Sequence, residues 1–100
     1  MTNFYVTYRL ESKAARESFY KEVKESGAAG KTRKEDGCIR YEFFFSADSD
    51  TEMFLWEQWE SREAQKVHLQ QPHYLEFAKI KEKYGAVTDI LVEDQIVGSL

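Results

Sequence analysis

A carboxylate and an imidazole are the strongest candidates for chemistry in this sequence. Glu57 stands in the run EMFLWEQWE (52–60), where its neighbours at every second position are apolar. Because successive side chains of a strand point to opposite faces, Leu55, Glu57 and Trp59 are expected on one face. A carboxylate between apolar neighbours either has a partner or has a raised pKa, and both conditions are common in active sites.

His68 is the second candidate, on a predicted helix where it shares a stripe with Ala64. A Glu on a strand and a His on the helix packed over it could meet in one cavity. Such a pair suits general acid–base catalysis, because His exchanges a proton near pH 7 and a carboxylate selects its tautomer. We therefore predict His68 and Glu57 as catalytic residues. Trp59 would offer a flat wall for an aromatic substrate, and Tyr41 a hydroxyl donor.

Two further aromatic residues complete the predicted substrate-binding set. Phe43 follows Tyr41 by two positions in the run CIRYEFFFS (38–46), and Phe77 lies on the apolar stripe of a later helix. Each candidate also has a purely structural interpretation. A single His on an apolar helical face is more often a core residue than a catalyst, a buried Glu can form an ion pair, and a Trp is commonly core.

Charge and motif content exclude several classes of function. Lys and Arg number 14 against 18 Asp and Glu, a net charge of -4, which argues against a nucleic-acid partner. His68 and His73 are five residues apart with Pro72 between them, a spacing that does not match helical metal ligands, and His73 is expected to be exposed. The single cysteine, Cys38, lacks an obvious nearby base. The sequence therefore predicts no metal and no cofactor.

The elements that position these residues follow the order β-α-β-β-α-β within one domain, 1–100. Strand-like runs occupy 3–10, 38–46, 52–60 and 86–97. Apolar residues at helical spacing lie between the first and second runs and between the third and fourth, and Thr32 with Glu35 has the form of a capping box. This order predicts an α+β, ferredoxin-like antiparallel sheet with helices on one face.

Aromatic residues make up 15% of the sequence and fall on both faces of the predicted strands. An antiparallel sheet with one solvated face alternates apolar and polar residues instead. We therefore predict a homodimer in which the helix-free sheet faces pack together. The N-terminal residues lack the layout of a secretory signal, and no apolar run approaches the roughly 20 residues of a membrane span. The sequence thus predicts a cytoplasmic protein without a membrane partner.

Several short motifs together resemble the antibiotic biosynthesis monooxygenase (ABM) superfamily. They are the segment from Gly37 to Glu42 (GCIRYE), the strand end from Glu57 to Ser61 (EQWES), His68-Leu69, and the segment from Pro72-His73 to Phe77. Each motif alone is weak, but their order and spacing are fairly specific for the fold. The resemblance implies a dimeric α+β barrel with a pocket between helices and sheet in each subunit.

The resemblance also implies an activity. Members include cofactor-independent monooxygenases that oxidise quinols and phenols with O₂, the deprotonated substrate itself supplying electrons. Tyr41, Glu57, Trp59 and His68 fall on the recurrent positions of the family. The resemblance thus favours a small aromatic substrate and O₂ as partners. Two alternatives remain: an acid–base isomerase of the phospho-autoinducer-2 isomerase type, and a non-catalytic ligand-binding dimer.

Overall fold

The computed structural model describes residues 1–94, which form one four-stranded sheet and four helices. The elements are β1 (Thr2–Arg9), α1 (Lys13–Ser26), α2 (Ala28–Arg33), β2 (Cys38–Phe45), β3 (Glu52–Trp59), α3 (Arg62–His68), α4 (Pro72–Lys83) and β4 (Val87–Asp94). Three strands, β2, β3 and β4, lie within the runs predicted for them, whereas β1 begins one residue before its predicted run of 3–10. The last three positions of the predicted final strand, 95–97, lie outside the described residues.

The sheet is antiparallel throughout, with the strand order β2-β3-β1-β4. Val6 at the centre of β1 pairs with Leu55 of β3 on one side and with Ile90 of β4 on the other. A β2-β3 hairpin and two helical connections, each of which passes over one intervening strand, produce this order. The predicted α+β, ferredoxin-like arrangement is confirmed.

The helix boundaries follow from local chemistry. The Ser12 hydroxyl accepts from the Ala15 N–H at the start of α1, and Ser61 caps α3 through Ala64 in the same way. Pro72 occupies the first turn of α4, where its missing N–H costs nothing.

The predicted capping box of Thr32 and Glu35 is wrong. Gly27 adopts a left-handed conformation (φ 75°), so α1 ends there and α2 begins at the next residue. Thr32 consequently falls inside α2, where its hydroxyl donates to the Ala28 carbonyl at 2.8 Å. Glu35 lies in the turn after α2, and its carboxylate is therefore available for contacts elsewhere.

The core lies between the sheet and the helices. Burial alternates along β3, so Met53, Leu55, Glu57 and Trp59 are buried, while Phe54 and Trp56 on the other face are only half-buried. Phe19 and Val23 of α1 and Phe77 and Ile80 of α4 pack onto the buried face. The strand that carries Glu57 therefore turns it toward the helices, as the period-two pattern predicts.

The opposite sheet face remains uncovered and aromatic. Tyr5 stacks on Phe54 and lies beside Trp56, with ring centroids 6.2 Å apart in both pairs, and Phe44 contacts Phe54 at the same distance. The edge strand β4 is exposed at all eight positions, and among its large apolar residues Leu91 is the most exposed at 73%. None of the helices between residues 1 and 94 combines the length and apolarity needed to cross a bilayer.

Candidate functional site

A cavity of about 150 Å³ lies between the sheet and the helices α3 and α4. The sheet contributes Val6, Tyr8, Glu57, Thr88 and Ile90, and the helical layer contributes Gln65, Leu69, Tyr74, Phe77 and Lys81. A cavity of this size in a protein interior holds a single benzene ring. Of the predicted site residues, Glu57 and Phe77 line it.

Glu57 places a buried carboxyl group in the wall of this cavity. The residue is 7% exposed, and the indole N–H of Trp59 donates to its Oε1 at 3.1 Å. Burial raises the pKa of Glu57 to about 7, opposed by the Trp59 hydrogen bond and by the positive charge of Lys81. A group with such a pKa exchanges its proton readily near neutral pH, as a general base must.

Lys81 and Tyr74 supply the polar groups opposite this carboxyl, and neither was predicted. The ammonium of Lys81 lies 3.3 Å from the Tyr74 hydroxyl and 5.1 Å from the centre of the Phe77 ring. Tyr74, Phe77 and Lys81 are spaced three and four residues apart, so they share one face of α4. The spacing of these three residues is visible in the sequence, but no sequence pattern indicates that this face of α4 borders a cavity.

Tyr8 on β1 completes the polar lining. It is buried beneath Phe19 and Phe77, both in edge-to-face contact with its ring. Burial raises the pKa of Tyr8 well above its ordinary value, and the Glu57 carboxylate adds to the effect. Tyr8 therefore keeps its proton at physiological pH and offers the cavity a hydroxyl rather than a phenolate.

His68 does not share the cavity with Glu57. Its imidazole is 1% exposed and packs on the Trp59 ring at 5.0 Å between centroids, with Tyr74 at 5.1 Å. Trp59 is fully buried and joins the two predicted catalytic residues, contacting His68 through its ring and Glu57 through its N–H. The predicted pair is thus connected indirectly, through one indole.

Glu35 is the partner of His68, and sequence reasoning did not find it. Its Oε2 lies 2.6 Å from Nδ1 of His68 and 2.8 Å from Nε2 of His73. A carboxylate only accepts hydrogen bonds, so both imidazoles donate to it. Burial lowers the pKa of His68, while Glu35 acts in the opposite direction. The expectation that His73 is exposed is wrong, because only 11% of its side chain is accessible beside Glu35.

The other predicted substrate-binding residues belong to the core around the cavity. Tyr41 is buried with its ring 5.7 Å from both His68 and Phe43, and Phe43 packs edge-on against Phe77 at 6.1 Å. Tyr41 and Phe43 therefore shape the wall that supports the site without lining the cavity.

Burial raises the pKa of the Cys38 thiol to about 11, which disfavours the nucleophilic thiolate.

A family model described as antibiotic biosynthesis monooxygenase matches residues 4–80, from β1 to the last turns of α4. The chain belongs to this family. The matched segment contains all the site residues described above except Lys81 and those of β4.

Individual relatives agree with this membership. The Bacillus subtilis protein YjcS is 38% identical over 48 residues, 48% of this chain and 46% of that protein. Mycobacterium tuberculosis Rv0793 is 46% identical over 46 residues, which are 46% of this chain and 45% of that protein. Its name describes it provisionally as a monooxygenase. The matched segments thus span less than half of either curated relative.

Solved structures cover nearly the whole chain. Rv0793 superposes with a TM-score of 0.78 at 26% identity over all of both chains. SnoaB from Streptomyces nogalater, a cofactor-independent oxygenase, superposes with a TM-score of 0.74 over 98% of this chain and 97% of its own. Its identity of 17% means that this second likeness concerns the fold alone.

Proposed function

We propose that this family member is a monooxygenase that oxidises a small phenol or quinol with O₂, with Glu57 as the general base. The observation that carries the proposal is the buried Glu57 carboxyl, whose pKa is about 7, in the wall of a cavity of about 150 Å³. A single aromatic ring fits that volume. A phenolic hydroxyl in the cavity would find a proton acceptor ready at neutral pH.

For a phenol whose ring carbon opposite the hydroxyl carries hydrogen, the reaction needs no electron source beyond the substrate. Glu57 removes the phenolic proton, and the phenolate transfers one electron to O₂, giving a phenoxyl radical and superoxide. The two combine at the ring carbon opposite the hydroxyl and form a C–O bond. Loss of the proton on that carbon and cleavage of the O–O bond then release water. One phenol and one O₂ thus yield one para-quinone and one water.

Lys81 and Trp59 support the charge changes of this reaction. The Lys81 ammonium faces the cavity and offsets the negative charge that appears on the substrate oxygen. Trp59 holds Glu57 through its N–H, and His68 packs on Trp59. We therefore propose His68 as a positioning residue that acts through Trp59, in place of direct contact with the substrate.

The comparisons favour oxygen chemistry over the alternatives. The family takes its name from a monooxygenase, and SnoaB with the same fold is a cofactor-independent oxygenase. An acid–base isomerase is the second candidate, because a carboxyl with a pKa of about 7 can also carry a proton between two positions of one substrate. A non-catalytic ligand-binding dimer is the third. A cytoplasmic location stays a prediction from the sequence.

Oxygen consumption with a panel of single-ring phenols and quinols tests the proposal. We expect turnover in the wild type, a loss of about 10²- to 10⁴-fold in kcat/KM for Glu57→Gln, and no loss for Glu17→Gln, an exposed carboxylate on α1. Product formation without O₂ would indicate the isomerase instead. For His68→Phe, which preserves an aromatic contact with Trp59, we expect a shifted pH optimum with activity retained.

The proposed enzyme is a homodimer through the uncovered sheet face. The aromatic cluster of Tyr5, Phe44, Phe54 and Trp56 continues onto β4 through Leu91, which pairs with Tyr5. Contiguous apolar surface of this kind is typical of protein interfaces. Light scattering is expected to give twice the mass of one chain for the wild type and a single-chain mass for Leu91→Lys. The control Val67→Lys, at an exposed apolar residue on α3, should stay dimeric.

A further inference from the structure

Glu35, His68 and His73 bring three potential metal ligands together from three separate segments of the chain. Glu35 lies in the turn after α2, His68 ends α3, and His73 lies in the first turn of α4. One carboxylate oxygen and one nitrogen of each imidazole all lie within 4.8 Å of one another. We infer that this cluster binds one divalent transition-metal ion of the Zn²⁺ type.

The donor set suits such an ion. Two imidazole nitrogens and one carboxylate oxygen are ligands that Zn²⁺ accepts in proteins, with a water molecule in the fourth position. Imidazole donors favour Zn²⁺ and related ions over Mg²⁺ and Ca²⁺, which prefer oxygen ligands. The cluster therefore points to a borderline transition metal.

Small movements would convert the hydrogen-bonded cluster into a metal site. The present separations from Glu35 Oε2 are 2.6 Å to His68 and 2.8 Å to His73. Two ligands of a tetrahedral Zn²⁺ lie about 3.3 Å apart, given metal–ligand bonds of about 2.0–2.1 Å. The carboxylate must therefore recede by about half an ångström. It has room to do so, because Glu35 borders an open surface depression of about 300 Å³.

The cluster is accessible from solvent. The depression that Glu35 borders is also lined by Lys34, Asp36, Val67 and Gln71, so an approaching ion passes one positive and one negative side chain. Metal binding at Nδ1 of His68 and Nε2 of His73 requires that the ring proton of each neutral imidazole move to its other nitrogen.

The inference concerns a site separate from the cavity of Glu57. Trp59 lies between the two, touching His68 with its ring and Glu57 with its N–H. The metal site would join α2, α3 and α4 at one corner of the helical layer. Its existence does not depend on the proposed oxygenase activity, and its tests read metal binding directly.

Titration of EDTA-treated protein with Co²⁺ and Zn²⁺ tests the inference. We expect one Co²⁺ per chain with the visible absorption of a four-coordinate ion, displaced by Zn²⁺. Saturation with Zn²⁺ at about 100 times Kd should raise Tm by roughly 10–20 °C. Binding should weaken as the pH falls, because a protonated imidazole has no free lone pair for the metal.

Variants of Glu35 and His73, the two less buried ligands, test whether the bound metal ion occupies this cluster. Glu35→Gln and His73→Asn are each expected to weaken Co²⁺ binding about 100-fold, whereas Asp36→Asn, in the same depression, should bind as the wild type does. Absence of saturable binding up to about 1 mM metal would overturn the inference and leave a hydrogen-bonded clamp only. Unchanged binding in His73→Asn would overturn it as well. If Glu35→Gln does not fold, His73→Asn decides alone.

Discussion

Replacing Glu57 by Gln is expected to stabilise the protein at alkaline pH. In the folded state burial raises the pKa of this carboxyl to about 7, whereas its ordinary value is 4.5. Above pH 7 the wild type must keep an ionised carboxylate buried in the cavity wall, whereas water would solvate it better in the unfolded chain. Gln occupies nearly the same volume, carries no charge and still accepts the hydrogen bond from Trp59.

The magnitude follows from the two pKa values. Between pH 4.5 and 7 the folded state binds more protons than the unfolded state, so the free energy of unfolding falls as pH rises through this window. Above pH 7 the contribution of Glu57 to the free energy of unfolding no longer changes with pH. A separation of about 2.5 pKa units corresponds to about 3 kcal/mol, at about 1.4 kcal/mol for each unit. Below pH 4.5 the carboxyl is protonated in both states and the penalty vanishes.

Urea denaturation at pH 8 and at pH 4.5 measures this difference. Glu57→Gln should exceed the wild type by about 3 kcal/mol at pH 8 and by less than about 0.5 kcal/mol at pH 4.5. Glu17→Gln, at an exposed position of α1, should match the wild type at both pH values. Equal stabilities of Glu57→Gln and wild type at pH 8, or a gain that is independent of pH, would refute the reasoning. The same variant loses activity in the oxygenase proposal.

Three further predictions concern the surroundings of the site. In urea denaturation, Gly37→Ala is expected to destabilise the protein by about 3 kcal/mol, since φ is +83° there and a Cβ would lie 2.7 Å from a side-chain carbon of α3. The control Gly85→Ala, with φ +60° and open space around the Cβ, should cost only about 1 kcal/mol. Equal costs for the two variants would show that the clash at Gly37 does not contribute. Iodoacetamide should modify Cys38 at pH 8 roughly 100-fold more slowly in the folded protein than in urea, because burial raises the pKa of the thiol from 9.0 to about 11; similar rates would contradict this. Lys81→Met should raise the pKa of Glu57, so the loss of stability with pH would extend to higher pH, and an unmoved profile would show that this charge is not felt.

The sheet and the orientation of Glu57 were predictable because the alternation of residues along a single strand shows which of its faces is buried. Apolar residues at every second position of β3 predict that Leu55 and Trp59 are buried, and Glu57 must then share their face. The serine caps and Pro72 are local signals of the same kind. The extent of α2 was not predictable from Thr32, because Gly27 allowed the helix to restart immediately.

The partners of the site residues could not be predicted, since they depend on how the helices pack. Glu35 is 33 residues from His68 in sequence, yet the two meet at 2.6 Å. The spacing of His68 and His73 describes no single helix because α3 and α4 are separate helices whose ends meet there. Whether two inward-facing residues share a cavity depends on what fills the space between them, and here Trp59 fills it.

The strand order has a consequence for how the protein emerges from the ribosome. β1 is synthesised first but pairs only with β3 and β4, so Thr2 waits for Trp59, 57 residues later, and for Asp94. At about 5–20 residues per second, the first strand remains without its neighbours for roughly 3–10 s. Both strands of the local β2-β3 hairpin are synthesised before β4, so the second neighbour of β1 is the last strand to be made. Until β3 is made, the aromatic side chains of β1 lack both of their neighbouring strands.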